Sequence, residues 1–340
     1  MAMTFPELVQ PLIERKDLTE AQASALMQYL MGGEASEAQI GAVLFVLRMK
    51  GCTTHELAAF TRVLREKAAV LTHAYDDLVD TCGTGGGSES FNISTAAAII
   101  ACAAGVRIAK HGNRAVTSTC GSADVLERVG VKIGGDPEQL SHTLATARIV
   151  FLFAQAHHPS WRFVGKARKD LGVRTVFNQL GPLLNPAGAN RQLIGVYDAG
   201  LMRSMGEALR LLGCERALIV HGNDGLDEIS PVAPTEYVKV WNGKVSSGSL
   251  HLSDFGLRPI DAAALKPGKT LDENAEILKE AISDISSPRA LAVLPSAAAA
   301  IWIGGLEENL PDSVARAKAA IEAGLATAKL EELIRVGGGE

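Results

Sequence analysis

The sequence predicts an α/β protein in two parts, a small all-helical domain followed by a larger α/β domain with a central, largely parallel sheet flanked by helices. Three observations lead there. The first seventy-odd residues carry only helical periodicity and helix caps. From about Tyr75, short apolar strands alternate with helices. The length of 340 residues suits about two domains of roughly 150. The boundary is expected near residue 73: a helical domain over 1–73, joined in space by helices from about 161–190, and an α/β domain over 74–340.

In the opening segment, Thr4-x-x-Glu7, Ser36-x-x-Gln39 and Thr53-x-x-Glu56 have capping-box spacing, while Gly32-Gly33 and Gly51 supply stops. Ile40, Val43, Leu44 and Leu47 recur at helical intervals, so one face of that helix must be buried. Residues 78–80 then read as a strand, followed by a glycine-rich loop and an Ala-rich helix over 94–104. A strand over 106–110, a helix over 122–129, a helix opened by Asp136-Pro137 and a strand over 149–153 follow. Residues 161–186 are helical and punctuated by Gly172 and Gly181-Pro182. Alternation resumes with strands over 193–197, 217–221 and 237–241 around a helix over 202–212, and the tail is helical over 272–285, 313–323 and 326–336.

Composition narrows the function. An apolar share of 47% suits a packed core, and 33 Lys plus Arg against 38 Asp plus Glu leave a net charge of −5, which provides no bulk basic field for nucleic acid. The longest unbroken apolar run, residues 96–106, is far short of the roughly 20 residues of a membrane span, and the stretch 290–306 contains Pro295 and Ser296. Glu7 and Glu14 interrupt any signal-peptide core. Five scattered cysteines form no CxxC pair. The expectation is a cytoplasmic protein with neither a nucleic-acid nor a membrane partner.

Asp80-Thr81-Cys82-Gly83-Thr84-Gly85-Gly86-Gly87-Ser88 follows a strand and so lies at the carboxyl edge of the sheet, where open α/β folds bind ligands. Successive glycines let backbone N–H groups converge on an anion. Neither GxGxxG nor GxxxxGK[ST] is present, so this is not a standard dinucleotide or P-loop fingerprint. Asn92-Ile93-Ser94-Thr95 opens the following helix; these are ordinary capping residues, but beside a glycine nest their hydroxyls can bind phosphate. Lys110-His111-Gly112-Asn113-Arg114 leaves the next strand at the same edge, and Thr117, Ser118, Gly121 and Ser122 prolong its polar, small-residue character. Such a loop suits several phosphates, although a solvated basic turn has the same composition. Asp227-Glu228 lies beyond another strand, either as surface charge or, beside a polyphosphate, as ligands for Mg²⁺. Arg168 suits a carboxylate substrate if it faces a cleft.

In combination and in order, Gly83-Thr84-Gly85-Gly86, Asn92-Ile93-Ser94-Thr95, Lys110-His111-Gly112-Asn113-Arg114, Gly121-Ser122-Ala123-Asp124-Val125-Leu126, Arg174-Thr175-Val176-Phe177-Asn178, Gly181-Pro182-Leu183-Leu184-Asn185-Pro186 and Asp227-Glu228 resemble the anthranilate phosphoribosyltransferase family over nearly the whole chain. The resemblance implies transfer of a phosphoribosyl group from 5-phosphoribosyl 1-diphosphate to anthranilate with Mg²⁺, by a homodimer packed through the helical domains. It implies substrate contacts from Gly83, Gly86, Gly87, Ser90, Asn92, Ser94, Thr95, Lys110, His111, Gly112, Asn113, Arg114, Ser118, Ser122, His158, Arg168 and Pro182. Within that set, Lys110, Asn113 and Arg168 are the expected catalytic residues, and Ser94, Asp227 and Glu228 the expected metal ligands. Two alternatives stay open at this point: a nucleic-acid-binding paralogue of the same fold and a pyrimidine nucleoside phosphorylase. One departure stands out. The family's glycine loop usually reads GTGGDG with three residues before Phe-Asn, whereas here Gly87 replaces the Asp and the loop is one residue shorter. Restoring that Asp with one inserted Gly is expected to tighten binding of the metal–diphosphate complex.

Overall fold

The computed structural model describes residues 3–115 and 120–339. Four helices open the chain, α1 (Phe5–Ile13), α2 (Glu20–Leu30), α3 (Glu37–Lys50) and α4 (Thr54–Glu66). The predicted capping boxes at Thr4, Ser36 and Thr53 all form, and a fourth at Thr19–Gln22 opens α2. Ile40, Val43, Leu44 and Leu47 are buried as their spacing requires. Glu56 does more than cap: its carboxylate accepts from the backbone N–H groups of Leu18 and Thr53, each at 2.8 Å, and pairs with Lys50. One buried acid therefore ties three turns of the bundle together.

The alternating region follows as β1 (Val79–Gly83), α5 (Ile93–Ala103), β2 (Ile108–Gly112), α6 (Ser122–Arg128), α7 (Pro137–Ala147) and β3 (Ile149–Phe153). Three helical pieces, α8 (Ala154–His157), α9 (Arg162–Leu171) and α10 (Phe177–Leu180), lead back towards the bundle, where α9 packs on α3. Then come β4 (Arg191–Gly195), α11 (Met202–Leu211), β5 (Arg216–Gly222), β6 (Thr235–Trp241) and β7 (Lys244–Leu250). The chain closes with α12 (Leu271–Ser283), α13 (Pro288–Gly304), α14 (Leu310–Glu322) and α15 (Leu325–Gly337).

The seven strands form one sheet in the order β3-β2-β1-β4-β5-β6-β7, parallel through the first five, with β6 antiparallel to both its neighbours. This is the α/β architecture expected from the sequence. One face is covered by a core containing α5 and α12 to α15; the other carries α11 and the helical bundle, whose apolar side chains are continuous with Ile194, Val196, Ala217 and Ile219 of the sheet. Chain order reverses between β1 and β4. That leaves a crevice beyond their carboxyl ends, the place where parallel sheets bind ligands.

Two elements escape the sequence reading. β7 is a largely exposed edge strand whose Ser-Ser-Gly-Ser core shows no apolar alternation. The helix α13 is buried on nearly every side and therefore apolar all round, so it lacks a helical stripe, and Pro295 interrupts the pattern from within.

Candidate functional site

The carboxyl edge of the sheet holds a cavity of about 330 Å³, within the size range of small-molecule sites. Five connections wall it: the glycine loop after β1, the segment 110–115 at the end of β2, residues just beyond β3, the link through α9 and α10, and Gly181-Pro182. Gly83, Gly86, Ser94, Lys110, His111, Gly112, Asn113, Arg114, Ser122, Arg168 and Pro182 all line it. Residues that sequence separates by up to a hundred positions thus meet at one opening.

Lys110 is the buried cation at its floor, only 3% exposed. Its Nζ donates to the Thr81 carbonyl and, at 3.2 Å, to Ser94 Oγ, so β2 aims the ammonium at the start of α5. Burial lowers its pKa, and the nearby Asp80 opposes that shift. Asp80, not anticipated as a site residue, is fully buried beneath the floor. It accepts from the His111 N–H at 3.1 Å and from Asn185 Nδ2 at 2.8 Å, and burial pushes its carboxyl up to about 6. The amide of Asn185 also donates to the Ala109 carbonyl, locking the Gly-Pro-Leu-Leu-Asn-Pro segment to β2.

Asp227 and Glu228 lie behind the glycine loop rather than on the cavity wall. Gly195 allows this approach, because a Cβ there would fall on the Asp227 carbonyl oxygen. Gly87 allows it from the other side, since a Cβ there would stand 2.6 Å from Asp227 Oδ1. Glu228 accepts from Ser296 Oγ at 3.1 Å, and the Ser94 N–H is close enough to hold its pKa down. Burial and then the Asp227 charge push Glu228 up to about 8; burial likewise raises Asp227. Among the described residues neither acid forms an ion pair, and no cluster of three or more His, Cys, Asp and Glu side chains forms a cage. Two adjacent carboxylates without an ion pair, beside a hydroxyl, fit Mg²⁺, which takes one or two protein acids and fills its other positions with substrate oxygens and water.

At the opposite wall the Arg168 guanidinium lies against two aromatic rings that meet edge to face, 5.3 Å from the centroid of Trp161 and 5.2 Å from that of Phe177. It has no acidic partner among the described residues, and burial lowers its pKa. A desolvated cation facing a cavity without a counter-ion demands an anionic ligand. His111 lines the same end and His158 stands behind it, with Nε2 to Nε2 at 3.2 Å. Burial presses their pKa values down to about 3 and about 4, so both rings are neutral at working pH.

Several anticipated residues sit elsewhere. Gly87, Ser90, Asn92, Thr95 and His158 do not line the cavity; Asn92 instead donates to the Cys120 carbonyl at 3.1 Å, and Thr95 is buried. Arg114 lines the rim, but its guanidinium is held by Asp124 and Glu127. Ser118 falls outside the described residues. Conversely, Trp161, Arg174, Phe177 and Asn178 line the cavity without having been assigned to it. For the last three the only sequence signal was the motif spanning residues 174–178, and Trp161 had none.

Residues 75–327 match the α/β domain of the glycosyl transferase family, and residues 6–68 match its helical bundle domain. The chain is similar to the anthranilate phosphoribosyltransferase of Methanocorpusculum labreanum, at 46% identity over 98% of both proteins. The crystal structure of anthranilate phosphoribosyltransferase from Thermus thermophilus superposes with a TM-score of 0.91 at 38% identity, covering 97% of this chain and 99% of that one. The Saccharomyces cerevisiae enzyme, in complex with PRPP and Mg, superposes at 0.89 with 25% identity and 98% coverage of each chain.

Proposed function

The chain belongs to the anthranilate phosphoribosyltransferase family, and from that premise we propose how its cavity divides between the two substrates. The enzyme transfers the phosphoribosyl group from 5-phosphoribosyl 1-diphosphate to the amine of anthranilate, giving N-(5-phosphoribosyl)anthranilate and pyrophosphate, a step of tryptophan biosynthesis, with Mg²⁺ as cofactor. Its relatives favour this reaction over nucleoside phosphorolysis or nucleic-acid binding.

The observation that carries the division is the contrast between the cavity's two ends: a partnerless guanidinium against a pair of aromatic rings at one, a glycine loop with a buried lysine and an acid pair at the other. Arg168 receives the anthranilate carboxylate, with Asn113 near the amine and His111 and Pro182 beside the ring. Gly83, Gly86, Ser94 and Lys110 receive the phosphoribosyl diphosphate. Ser94, Asp227 and Glu228 hold the metal, which supplies charge neutralisation for the leaving diphosphate when bound.

An aryl amine is neutral and nucleophilic at physiological pH, so the protein need not furnish a nucleophile. Departure of pyrophosphate from the anomeric carbon is the harder event. Lys110, fixed by Thr81 and Ser94, places a positive charge where the leaving group becomes more negative. Arg168 and the ring wall hold the amine in line, turning a two-molecule encounter into an oriented one. Neutral His111 adds no competing positive charge at the amine end.

The same proposal divides the chain near residue 73, places it in the cytoplasm and makes it a homodimer through the helical face. Supporting the dimer, Ile13, Phe45 and Met49 on α1 and α3 are 65%, 50% and 71% exposed, an unusual display for large apolar side chains. Among the described residues, no helix is long and apolar enough to cross a membrane. Loss of anthranilate fluorescence that requires both phosphoribosyl diphosphate and Mg²⁺ tests the reaction; loss with the diphosphate omitted would contradict it.

A further inference from the structure

We infer that Arg174 is a positioning residue that braces the glycine loop between the two substrate subsites, so that filling the diphosphate end tightens the anthranilate end. The inference rests on the division of the cavity proposed above and adds a coupling between its halves.

Arg174 occupies the link between α9, which carries Arg168, and α10, which begins with Phe177 and Asn178. All four residues line the cavity. The Arg174 Nη2 donates to the Gly86 carbonyl, and the guanidinium lies 3.8 Å from the centroid of the Tyr197 ring. The Tyr197 N–H in turn donates to Thr84 Oγ1 at 3.0 Å, and the Thr84 N–H to the Gly195 carbonyl at 2.9 Å. The loop is therefore held on one side by β4 and on the other by Arg174.

The decisive feature is a single peptide unit. Its carbonyl, from Gly86, accepts from Arg174, while the Gly87 side of the unit packs directly against Asp227. The peptide plane is stiff, so the unit forms a strut from the anthranilate wall to the acid pair. Gly86 and Gly87 both need to be bare for this geometry: a Cβ on Gly86 would stand 2.5 Å from the guanidinium, and one on Gly87 2.6 Å from the Asp227 carboxylate. Arg174 makes no ion pair among the described residues, so its fork stays committed to the strut and the Tyr197 face. Drawing the loop onto the diphosphate then pulls the α9–α10 link, and with it Arg168 and Phe177.

Benzoate, which keeps the ring and carboxylate of anthranilate but has no amine to react, isolates the coupling in calorimetric titrations of the full-length enzyme. The wild type should bind benzoate about tenfold more tightly when saturated with Mg²⁺ and phosphoribosyl diphosphate, a coupling of ordinary allosteric size. Arg174→Gln should bind benzoate alone within about twofold of the wild type yet lose that gain, and Arg174→Lys, which keeps a donor without the planar fork, should recover part of it. In steady state, Arg174→Gln should raise both Michaelis constants. A wild type without any gain, an Arg174→Gln enzyme with an undiminished gain, or one that loses benzoate equally with and without the diphosphate overturns the inference. Arg168→Met should abolish benzoate binding in every condition; if it does not, the division of the cavity has failed rather than the brace.

Discussion

Replacing Arg168 by methionine separates the two things its guanidinium does, one for the fold and one for the substrate. In the folded chain the group rests against Trp161 and Phe177, at 5.3 and 5.2 Å from the ring centroids, and has no acid to meet among the described residues. Each cation–π contact is worth about 0.5–1 kcal/mol, and the desolvation that lowers the arginine's pKa opposes them. Methionine keeps much of the aliphatic stem and suits an aromatic cage. The stability of the unliganded variant should therefore stay within about 1 kcal/mol of the wild type. Binding is another matter. A carboxylate received by two charge-assisted hydrogen bonds, each about 1.5–3 kcal/mol, loses about 3 kcal/mol at minimum, or roughly a hundredfold in kcat/KM for anthranilate. The Michaelis constant for phosphoribosyl diphosphate should move by less than about threefold, because no phosphate contact is removed. Fluorescence-detected kinetics with each substrate varied in turn, alongside a urea titration, reads all three quantities. Equal losses for both substrates, or an unchanged anthranilate constant, would refute the assignment.

The acid pair makes the opposite trade, since Asp227 and Glu228 are half-buried side by side without an ion pair among the described residues. Asp227→Asn with Glu228→Gln should eliminate turnover at millimolar Mg²⁺ while melting no lower than the wild type; a fall of many degrees would show that the acids are structural. The histidine pair predicts acid sensitivity. Below the ordinary value near 6.5 the unfolded chain takes up protons that folded His111 and His158 refuse until about 3 and about 4, so stability falls as pH falls through that window, by about 2 kcal/mol per imidazole on going from pH 7 to pH 5. His158→Gln should shrink the pH 7 to 5 difference in unfolding free energy by about that amount, and an unchanged difference would contradict the buried neutral assignment. At Gly87 a side chain added without the extra glycine of the family's longer loop would meet Asp227. Gly87→Asp alone should raise the Michaelis constant for phosphoribosyl diphosphate by about tenfold or more, and a lower constant would show that the loop readjusts without cost.

The helical start and the parallel sheet were legible because each signal was local. Capping boxes place side chains three residues apart, and an apolar strand followed by glycine and then a capped helix is a complete βα unit within one short stretch. The elements that escaped had their determinants elsewhere. The helix α13 is apolar on every side because α5, α14 and the sheet surround it, which removes the periodicity that marks a surface helix. β7 is a strand because β6 offers it a partner, not because Lys-Val-Ser-Ser-Gly-Ser-Leu prefers one.

The candidate site divides along the same line. Lys110, Ser94 and the glycines could be placed near the sheet edge from sequence, since the glycines follow β1, Ser94 opens the helix after them, and Lys110 lies on β2 beside β1. What the sequence lacked was the support beneath and behind them. Asp80 reads there as the last residue of an apolar strand, yet its carboxylate collects the His111 N–H and the Asn185 amide, joining segments more than a hundred positions apart. Ser296 reads as an interruption of an apolar run, yet it reaches Glu228. Arg174 reads as one more cation on a helical link, and only the fold brings it to the Gly86 carbonyl. A residue that touches substrate sits where backbone topology puts it, so strand ends reveal it; a residue that positions another acts across the fold, and its sequence neighbours carry no trace of the partner.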